Sequence, residues 1–392
     1  MEFDQVIAPL GKDAFLSDHW EKSWLHLPGT MGRFADLLSW DDLGGILENT
    51  RMAPPHIRLS KDGRTVEAER YVHTPPGAGN QPRVDLGRLV ALLAEGATLV
   101  LQGVEEVAPK IRALSNSFRD ALLARNHVNL YAGWRSENGF DLHWDPHEVM
   151  VLQLHGRKRW QIFGPTQEQP LDVGSPPKPA GLPVWHGLLN SGDILYLPRG
   201  WWHVAHPVNE PSMHLTFGIA PMHGLNLLNW MVMKLRGEVH LRRNLPLLQD
   251  ITARQAYMAQ LRAIVTQALG DAAIEDFMRD AGEHAHGRAP IRLPRAPYDQ
   301  VAPLQDESLI RLASSPRLLL RTEADKVTFN AYGKNYSVPI YVKPALDLLR
   351  DDRAIPLGQL CAAVDGEAVA NLRRGLAMLA SAGVVLVEND CA

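Results

Sequence analysis

The amino-acid sequence predicts an α+β protein in which a block of short antiparallel strands is flanked by helical segments. Between residues 127 and 220, apolar and polar residues alternate in runs of about five to eight residues, separated by Gly and Pro turns. This pattern is typical of an antiparallel barrel or sandwich. At 85–96, at 107–125 and from 225 to about 281, apolar residues recur at steps of three and four, which predicts helices.

The chain length and the order of these patterns predict more than one domain. At roughly 100–200 residues per domain, 392 residues correspond to two or three domains. We expect 1–224 to contain the strand block, 225–295 to form a helical region with a Pro- and Arg-rich linker, and 296–392 to form a separate module. That module contains a hairpin pattern, two helical patterns and a final strand pattern, VVLVE, an order typical of a winged-helix-like domain.

Composition excludes several classes of protein. The 40 basic and 44 acidic residues give a net charge of −4, so the whole chain is no polyanion binder. Only two cysteines occur, which excludes a disulfide framework and favours a reducing compartment. The first residues lack the pattern of a signal peptide, and no apolar run approaches the ~18 residues of a membrane span. We therefore expect a cytoplasmic protein without a membrane segment.

The charge balance of the C-terminal module argues against direct DNA binding. From Asp325 onward there are seven basic and eight acidic residues, whereas a helix that contacts duplex DNA normally brings a basic excess. The basic residues are Lys326, Lys334, Lys343, Arg350, Arg353, Arg373 and Arg374, and the acidic residues are Asp325, Asp347, Asp351, Asp352, Asp365, Glu367, Glu388 and Asp390. We expect this module to contact protein or to be purely structural.

The sharpest motif is DLHWDPHEVM, in which one residue separates His143 from Asp145. In extended backbone, residues i and i+2 point to the same face, so the imidazole and the carboxylate can converge on one cation. Downstream, SGDILYLPRGWWHVAHP places His203 after an apolar strand and a Pro-Arg-Gly turn. Two histidines and one carboxylate on one face of a metal leave adjacent positions open, as in non-haem iron(II) oxygenases.

Other histidines compete for the role of third ligand. They are His147, His155, His206 and His214. His155 falls in a predicted hairpin turn and His206 just past a strand, where solvated side chains are expected. His214 is the stronger rival, because the alternation in MHLTFG can point it inward. We favour His203 because a turn that contains glycine precedes it and because the two adjacent tryptophans can line the site. Core packing explains those tryptophans equally well.

The strand KRWQIF contains a lysine that its alternation carries to the apolar face. Lys158, Trp160 and Ile162 share one side of this strand. If that side faces the interior, an unpaired ammonium there would cost several kcal/mol, so an anionic partner is expected. A dicarboxylate that also chelates the metal would supply one. Alternatively, Lys158 lies at the strand end and extends to water.

These segments together resemble a known family. The run NLYAGW…DLHWDPHEVMVLQLHGRKRWQIFGP…GDILYLPRGWWHVAHP…SMHLTFGIA is similar to the JmjC-type ribosomal oxygenases, protein hydroxylases that act on ribosomal proteins. The resemblance implies a double-stranded β-helix (cupin/JmjC) catalytic domain, a helical dimerisation region and a C-terminal winged helix. It also implies iron(II), Fe(II), as cofactor, 2-oxoglutarate as cosubstrate, a polypeptide substrate and a homodimer.

The resemblance also assigns roles to individual residues. His143, Asp145 and His203 match the iron ligands, and Lys158 matches the basic residue that grips 2-oxoglutarate. Cosubstrate-pocket positions fall on Asn129, Tyr131 and Thr216, with Ser212 and His214 as less direct matches. The bacterial arginine hydroxylase of the family has arginine where this chain has Lys158, whereas the human histidine hydroxylases have lysine. That departure argues against transferring the bacterial substrate to this chain.

Substrate contacts are predicted around the metal motif. The candidates are Trp134, Arg135, Trp144 and Trp202, although burial explains each tryptophan equally well. The loops 133–142 and 172–184 are expected to shape the substrate site. Three functions stay open: hydroxylation of a polypeptide, most simply a ribosomal protein; the same chemistry on a precursor peptide or small metabolite; or a metal-binding cupin without oxygenase activity.

Overall fold

The predicted strand block forms two antiparallel sheets in a computed structural model of the chain. The larger, eight-stranded sheet has the order β1-β11-β8-β13-β7-β6-β2-β3, and the smaller has the order β10-β9-β12. The strands of this part are β1 (Leu25–Leu27), β2 (Ile57–Lys61), β3 (Arg64–Thr65), β4 (Val72–His73), β5 (Arg83–Val84), β6 (Thr98–Leu101), β7 (Arg125–Gly133), β8 (Glu148–His155), β9 (Lys158–Pro165), β10 (Trp185–Leu189), β11 (Ile194–Leu197), β12 (Trp201–Pro207) and β13 (Ser212–Ala220).

The two sheets enclose an apolar layer. Val149 and Val151 on β8 and Leu195 on β11 are buried together with Trp160 and Ile162 on β9. Val149 and Val151 are two residues apart on β8, and Trp160 and Ile162 are two residues apart on β9. Strand alternation predicts this spacing for side chains that face the same side. The same face of β9 carries Lys158, which is 6% exposed. The lysine is therefore inside and does not extend to water.

The outer face of the larger sheet is covered by helices. These are α1 (Phe3–Val6), α2 (Lys12–Ala14), a π-helical turn (Phe15–His19), α3 (Trp40–Glu48), α4 (Leu86–Ala94) and α5 (Pro109–Leu122), with 3₁₀ turns at Ala68–Arg70 and Val104–Glu106. Helix α5 begins with proline at its first turn and buries Ile111, Leu114 and Phe118, which repeat at helical spacing. Met150 and Phe217 of the sheet lie in the same core.

The chain divides into two units, Met1–Pro221 and Met222–Ala392. The second unit begins with helices α6 (Gly224–Leu235), α7 (Val239–Arg242), α8 (Ile251–Ala268) and α9 (Ala273–His284). Helix α8 contains no buried residue, and exposed apolar side chains occur along α6 and the segment that follows. Among them are Leu225, Leu228, Val232, Met233, Leu247, Leu248, Ile251 and Met258.

The remainder of the second unit has its own core. Its strands are β14 (Leu309–Leu312), β15 (Arg321–Glu323), β16 (Lys326–Ala331), β17 (Lys334–Pro339), β18 (Ile355–Pro356) and β19 (Val385–Glu388), and its helices are α10 (Lys343–Leu349), α11 (Leu357–Cys361) and α12 (Val369–Ser381), with 3₁₀ turns at Ile340–Val342 and Gly366–Ala368. Strands β16 and β17 pair as the predicted hairpin, and α10, α12 and β19 occupy the predicted positions. The sequence did not predict β14 or α11, because both are short.

The structure describes residues 1–48, 53–74, 82–135, 140–171, 176–270, 273–284, 304–312, 320–331, 334–349, 354–364 and 366–388. The predicted linker from 285 to 295 and parts of the loops 133–142 and 172–184 lie outside these ranges. Within them, no helix combines the length and the apolar character that crossing a lipid bilayer requires.

Candidate metal centre and adjoining cavity

His143, Asp145 and His203 meet at one point of the first unit. The ligand atoms of the three side chains lie within 4.8 Å of one another. Nε2 of His203 is 3.4 Å from Oδ2 of Asp145, and the two imidazole centroids are 4.3 Å apart. Of the five histidines weighed for the third position, the structure brings only His203 into this three-residue group within the described ranges.

Backbone pairing brings the two ligand-bearing segments together. The N–H of His143 donates to the carbonyl of His203 at 3.1 Å, and the N–H of His203 donates to the carbonyl of His143 at 2.7 Å. The N–H of Gly200 donates to the carbonyl of Asp145 at 3.0 Å. Gly200 has a φ of +84°, and a Cβ there would lie 2.6 Å from the ring of Pro170. The Pro-Arg-Gly turn therefore requires glycine at this position.

Carbonyl groups fix the tautomers of both histidines. Nδ1 of His143 lies 2.8 Å from the carbonyl of Asp141, and Nδ1 of His203 lies 3.0 Å from the carbonyl of Trp201. A carbonyl oxygen only accepts hydrogen bonds, so each Nδ1 carries the proton. In the neutral ring, Nε2 is then left with its lone pair, which is the form that binds a metal ion.

The protonation states of this group suit a cation. Burial lowers the pKa of His203, so its ring is neutral near pH 7. Burial opposes ionisation of Asp145, but the neighbouring imidazoles outweigh it and lower the pKa of its carboxyl group. The half-buried carboxylate of Asp145 and the two imidazoles together offer a donor set of two nitrogens and one oxygen. Such a set fits a non-haem iron(II) site with open positions.

A cavity of about 200 Å³ extends from these three residues into the space between the sheets. Besides His143, Asp145 and His203, it is lined by Arg58, His127, Asn129, Tyr131, Phe140, His147, Val149, Lys158, Trp160, Ala205, His214 and Thr216. Sites for drug-sized ligands occupy roughly 300–1,000 Å³, so this cavity suits a small metabolite.

Beyond the metal-binding group, the cavity is lined by polar side chains without partners among the described residues. Burial lowers the pKa of Lys158 to about 8, and no hydrogen bond or ion pair of this ammonium is found among the described residues. Nδ1 of His214 and Nε1 of Trp160 are also buried without a partner. Buried polar groups are nearly always satisfied, so this cluster indicates an absent ligand. An anion suits it, because the cluster presents an ammonium and an indole N–H.

Asn129, Tyr131 and Thr216 line the cavity between its two ends. Thr216 on β13 is opposite Asn129 on β7, and His214 is opposite Tyr131. The rings of Tyr131 and His214 stack at 5.0 Å with an interplanar angle of 5°. Burial raises the pKa of Tyr131 to about 12, so its hydroxyl keeps its proton. Ser212, one of the two less direct matches to the family, is buried on β13 but is not part of the lining.

None of the four predicted substrate contacts belongs to the cavity lining. Trp134 packs against Trp40 at 5.5 Å, and Arg135 is exposed to solvent. Trp144 is half-buried beside the metal ligands, and the indole of Trp202 donates to the hydroxyl of Thr166 at 2.9 Å. Trp202 faces away from the cavity because it immediately precedes the inward-facing His203 in a strand.

The histidines that competed for the metal occupy three kinds of position. Nε2 of His155 lies 3.1 Å from the carbonyl of Leu38, outside the cavity. His206 is opposite the exposed Arg159 in the smaller sheet. His147 lines the cavity, and His214 lies inside it near Lys158.

Five lining residues escaped the sequence analysis: Arg58, His127, Phe140, Val149 and Ala205. His127 lies two residues before Asn129, so strand alternation alone could have placed it on the same face. Its ring packs edge to face against His147 at 5.1 Å, in space that Gly218 leaves open. No pattern identifies Arg58, because its position depends on the pairing of β2 with β6.

Comparisons with known proteins agree with this geometry. The model of the JmjC domain matches residues 106–227. The bifunctional lysine-specific demethylase and histidyl-hydroxylase NO66 of Drosophila persimilis is 29% identical over 219 residues, covering 54% of this chain and 30% of the relative. Ribosomal oxygenase 1 of Gallus gallus is 28% identical over 222 residues, covering 55% and 36%. The matched parts thus span about a third of these relatives.

Solved structures match almost the whole chain. An X-ray structure of Escherichia coli YcfD has a TM-score of 0.63 at 22% identity, and the match covers 97% of this chain and 98% of that one. YcfD in complex with cobalt and 2-oxoglutarate has a TM-score of 0.59 at 21% identity, covering 96% and 98%. YcfD is described as a ribosomal oxygenase, and the likeness shows that this chain shares its fold.

Proposed function

From the premise that this chain carries a JmjC domain and is related to the ribosomal oxygenases, we propose that it is an Fe(II)- and 2-oxoglutarate-dependent oxygenase. One observation carries the proposal. A single cavity has a two-histidine, one-carboxylate group at one end and a buried, unpartnered lysine at the other. A metal ion and a dicarboxylate that bridges to the lysine would satisfy both ends.

His143, Asp145 and His203 would hold iron(II). The two Nε2 atoms and the Asp145 carboxylate supply three ligands, and the carbonyls of Asp141 and Trp201 keep the imidazoles oriented. Bound iron(II) would couple dioxygen and the decarboxylation of 2-oxoglutarate to hydroxylation of a C–H bond. Asp145 acts in this scheme as an ionised ligand and does not transfer protons.

Lys158 would bind the distal carboxylate of 2-oxoglutarate. A charge-assisted hydrogen bond between the ammonium and this carboxylate is stronger than a neutral one, and burial strengthens it further. His214, Tyr131 and Thr216 offer additional hydrogen-bonding groups, and Asn129 lines the path between the two ends. Trp160 and Val149 also line this space and belong to the apolar cluster between the sheets.

We further propose that the substrate is a polypeptide, in the first place a ribosomal protein. The names of the relatives, histidyl-hydroxylase and ribosomal oxygenase, support this choice. Trp144, beside the ligands, stays a candidate for contact with such a substrate, together with Trp134, Arg135 and Trp202 on the surrounding segments. A precursor peptide, a small metabolite or metal binding without oxidation are the alternative outcomes of the tests below.

We also propose that α6 to α8 form a homodimer interface. Their exposed apolar residues are the support, since burial of apolar surface favours association. Val232→Asp should convert a dimer into a monomer in size-exclusion chromatography with light scattering, whereas Val90→Asp, at an exposed apolar position on α4, should not. A monomeric wild-type chain, or a dimer unaffected by Val232→Asp, contradicts this assignment.

For the segment 296–392 we propose a winged-helix-like module with a structural or protein-contacting role and no direct DNA contact. Its nearly equal numbers of basic and acidic residues support that assignment. We further propose a cytoplasmic location, which the proposed action on ribosomal proteins and the low cysteine content support.

Mass spectrometry of ribosomal proteins tests the function directly. Ribosomal proteins from cells with and without the gene should differ at one residue by the mass of one oxygen atom. The purified enzyme with iron(II) and 2-oxoglutarate should add this oxygen to the protein from cells without the gene. If the purified protein never converts 2-oxoglutarate to succinate, even with ribosomal extracts, the proposed oxygenase activity is wrong. Succinate formation with a small molecule or precursor peptide alone would overturn only the substrate.

A further inference from the structure

Arg58 brings a second cation to the cavity. In the larger sheet, Arg58 on β2 is opposite Val100 on β6, and Val100 is opposite Tyr131 on β7. Residues in register on neighbouring strands point to the same face, so Arg58 and Tyr131 share the face that lines the cavity. The strand that carries Arg58 is thus an extension of the cavity wall.

Phe140 connects Arg58 with the metal-binding group. Its ring centre lies 5.4 Å from the guanidinium carbon of Arg58, 5.7 Å from the ring of Tyr131 and 6.2 Å from the ring of His143. The turn between β2 and β3 packs against the segment just before His143, since a Cβ on Gly63 would lie 2.5 Å from the carboxylate of Asp141. Phe140 therefore contacts both the guanidinium of Arg58 and the ring of the metal ligand His143.

The guanidinium of Arg58 has an unused donor. Its Nε is buried and has no hydrogen-bond partner, and no ion pair of Arg58 is found in the described part of the chain. Among the described residues, the guanidinium makes one cation–π contact, with the ring of Phe140. A buried donor without a partner is costly, so an acceptor from outside is expected at this position.

The charges of the cavity show which acceptor fits. The described lining contains one arginine and one lysine, Arg58 and Lys158, and one carboxylate, Asp145. In the proposed function, Asp145 faces the metal and Lys158 faces the cosubstrate, so neither neutralises Arg58. One further negative charge is needed, and the planar guanidinium binds carboxylates in particular.

We propose that Arg58 is a specificity-determining residue that binds a side-chain carboxylate of the polypeptide substrate, close to the residue that is oxidised. This inference rests on the proposed function and adds a substrate class to it: acidic peptide segments. It also disfavours a lysine or arginine of the substrate beside Phe140, because like charges repel in a partly buried site.

Peptide capture tests the assignment without relying on turnover. Protein loaded with Mn²⁺ and 2-oxoglutarate under argon is mixed with equal amounts of two pools of short peptides. The pools have random flanks around a fixed glutamate or a fixed lysine, and retained peptides are counted by mass spectrometry. The wild type, Arg58→Glu and Arg64→Glu are compared. Arg64 is exposed on β3 of the same hairpin and is absent from the lining. Arg64→Glu therefore makes the same change of charge as Arg58→Glu, but outside the cavity.

We expect the wild type and Arg64→Glu to retain the glutamate pool about tenfold over the lysine pool, as one charge-assisted hydrogen bond allows. Arg58→Glu should reverse the preference. Equal or absent retention of both pools by the wild type, or an unchanged preference in Arg58→Glu, overturns the inference. A 2-oxoglutarate titration of each protein loaded with Mn²⁺ alone distinguishes failure of this inference from failure of the proposed function. If the wild type binds no 2-oxoglutarate, the proposed function itself fails.

A loss of 2-oxoglutarate binding confined to Arg58→Glu would also overturn the inference, because Arg58 would then serve the cosubstrate. Circular dichroism of the three proteins excludes misfolding, and Arg58→Gln supports the same comparison without a new negative charge. It should remove the preference for glutamate without creating one for lysine.

Discussion

The two ends of the cavity solve the problem of buried charge in different ways. At one end, the carboxylate of Asp145 lies beside two imidazoles whose protons are held by backbone carbonyls, so the group is arranged before any ligand binds. At the other end, the ammonium of Lys158 has no partner in the described ranges, and burial lowers its pKa. The first end is preorganised for a cation, and the second is incomplete without an anion.

This difference indicates how binding is divided between the ends. Preorganised ligands cost little reorganisation when a metal binds, so removal of one should abolish the site. The unsatisfied cluster around Lys158 gains most from an anionic ligand, because that ligand relieves a buried charge and several unpaired donors. Metal and cosubstrate affinity should therefore respond to different substitutions.

The largest expected effect is at the preorganised end. His203→Ala should lower metal affinity and oxygenase turnover by more than the ~100-fold that removal of an outer partner of a ligand can cost. Calorimetric titration with Mn²⁺ and succinate formation with Fe(II) measure the two effects. His206→Ala, three residues later on the same strand, is the matched control and should bind metal normally. Retention of wild-type metal affinity by His203→Ala would remove this residue from the site.

The next effect is at the incomplete end. Lys158→Ala should raise the dissociation constant of 2-oxoglutarate by roughly 10- to 100-fold, the loss of a hydrogen bond between charged groups, and leave metal affinity unchanged. Arg159→Ala, on the exposed face of the same strand, should change neither value. Equal loss of metal and cosubstrate binding in Lys158→Ala would show that the two ends are not separable.

The pH dependence of cosubstrate binding sharpens the same point. The pKa of Lys158 is lowered to about 8 in the free protein, so the amine is protonated below that pH and loses its charge above it. The dissociation constant of 2-oxoglutarate should be flat below pH 8 and rise by up to about tenfold per pH unit above it. Lys158→Ala should lack this rise. A wild-type affinity that is flat from pH 7 to 9.5 contradicts the prediction.

His214→Phe should produce the smallest effect. The substitution keeps an aromatic ring stacked on Tyr131 but removes a ring nitrogen that is buried without a partner. We expect the dissociation constant of 2-oxoglutarate to rise about two- to tenfold, since one neutral hydrogen bond contributes about 1 kcal/mol. Thermal denaturation should change little. An effect as large as that of Lys158→Ala would make His214 a principal anchor.

The sequence predicted those parts of the site that depend on local periodicity. Strand alternation put His143 and Asp145 on one face and Lys158 on the same side of β9 as Trp160 and Ile162; the structure shows that this side is the inward one. It could not place Arg58, which reaches the cavity through the register of three strands distant in sequence. The four predicted substrate contacts flank the motif, and none of them lines the cavity; Trp202 points away from it because it precedes the inward-facing His203 in a strand.

The fold, too, was predictable only where it depends on local sequence patterns. Short strands between Gly and Pro turns predicted an antiparallel β-rich unit, and the resemblance to JmjC ribosomal oxygenases is confirmed by the matched domain and structures. The order of the strands within each sheet was beyond the sequence patterns, since it depends on pairing between segments as distant as β1 and β11.

Anaerobic titration of the Fe(II)-loaded protein with 2-oxoglutarate tests the central claim most directly. If one cavity holds iron at His143, Asp145 and His203 and the cosubstrate at Lys158, a visible metal-to-ligand charge-transfer band should grow to saturation. The band should be absent in His203→Ala and should require far more 2-oxoglutarate in Lys158→Ala. A wild-type protein that binds Fe(II) without developing the band would contradict the account.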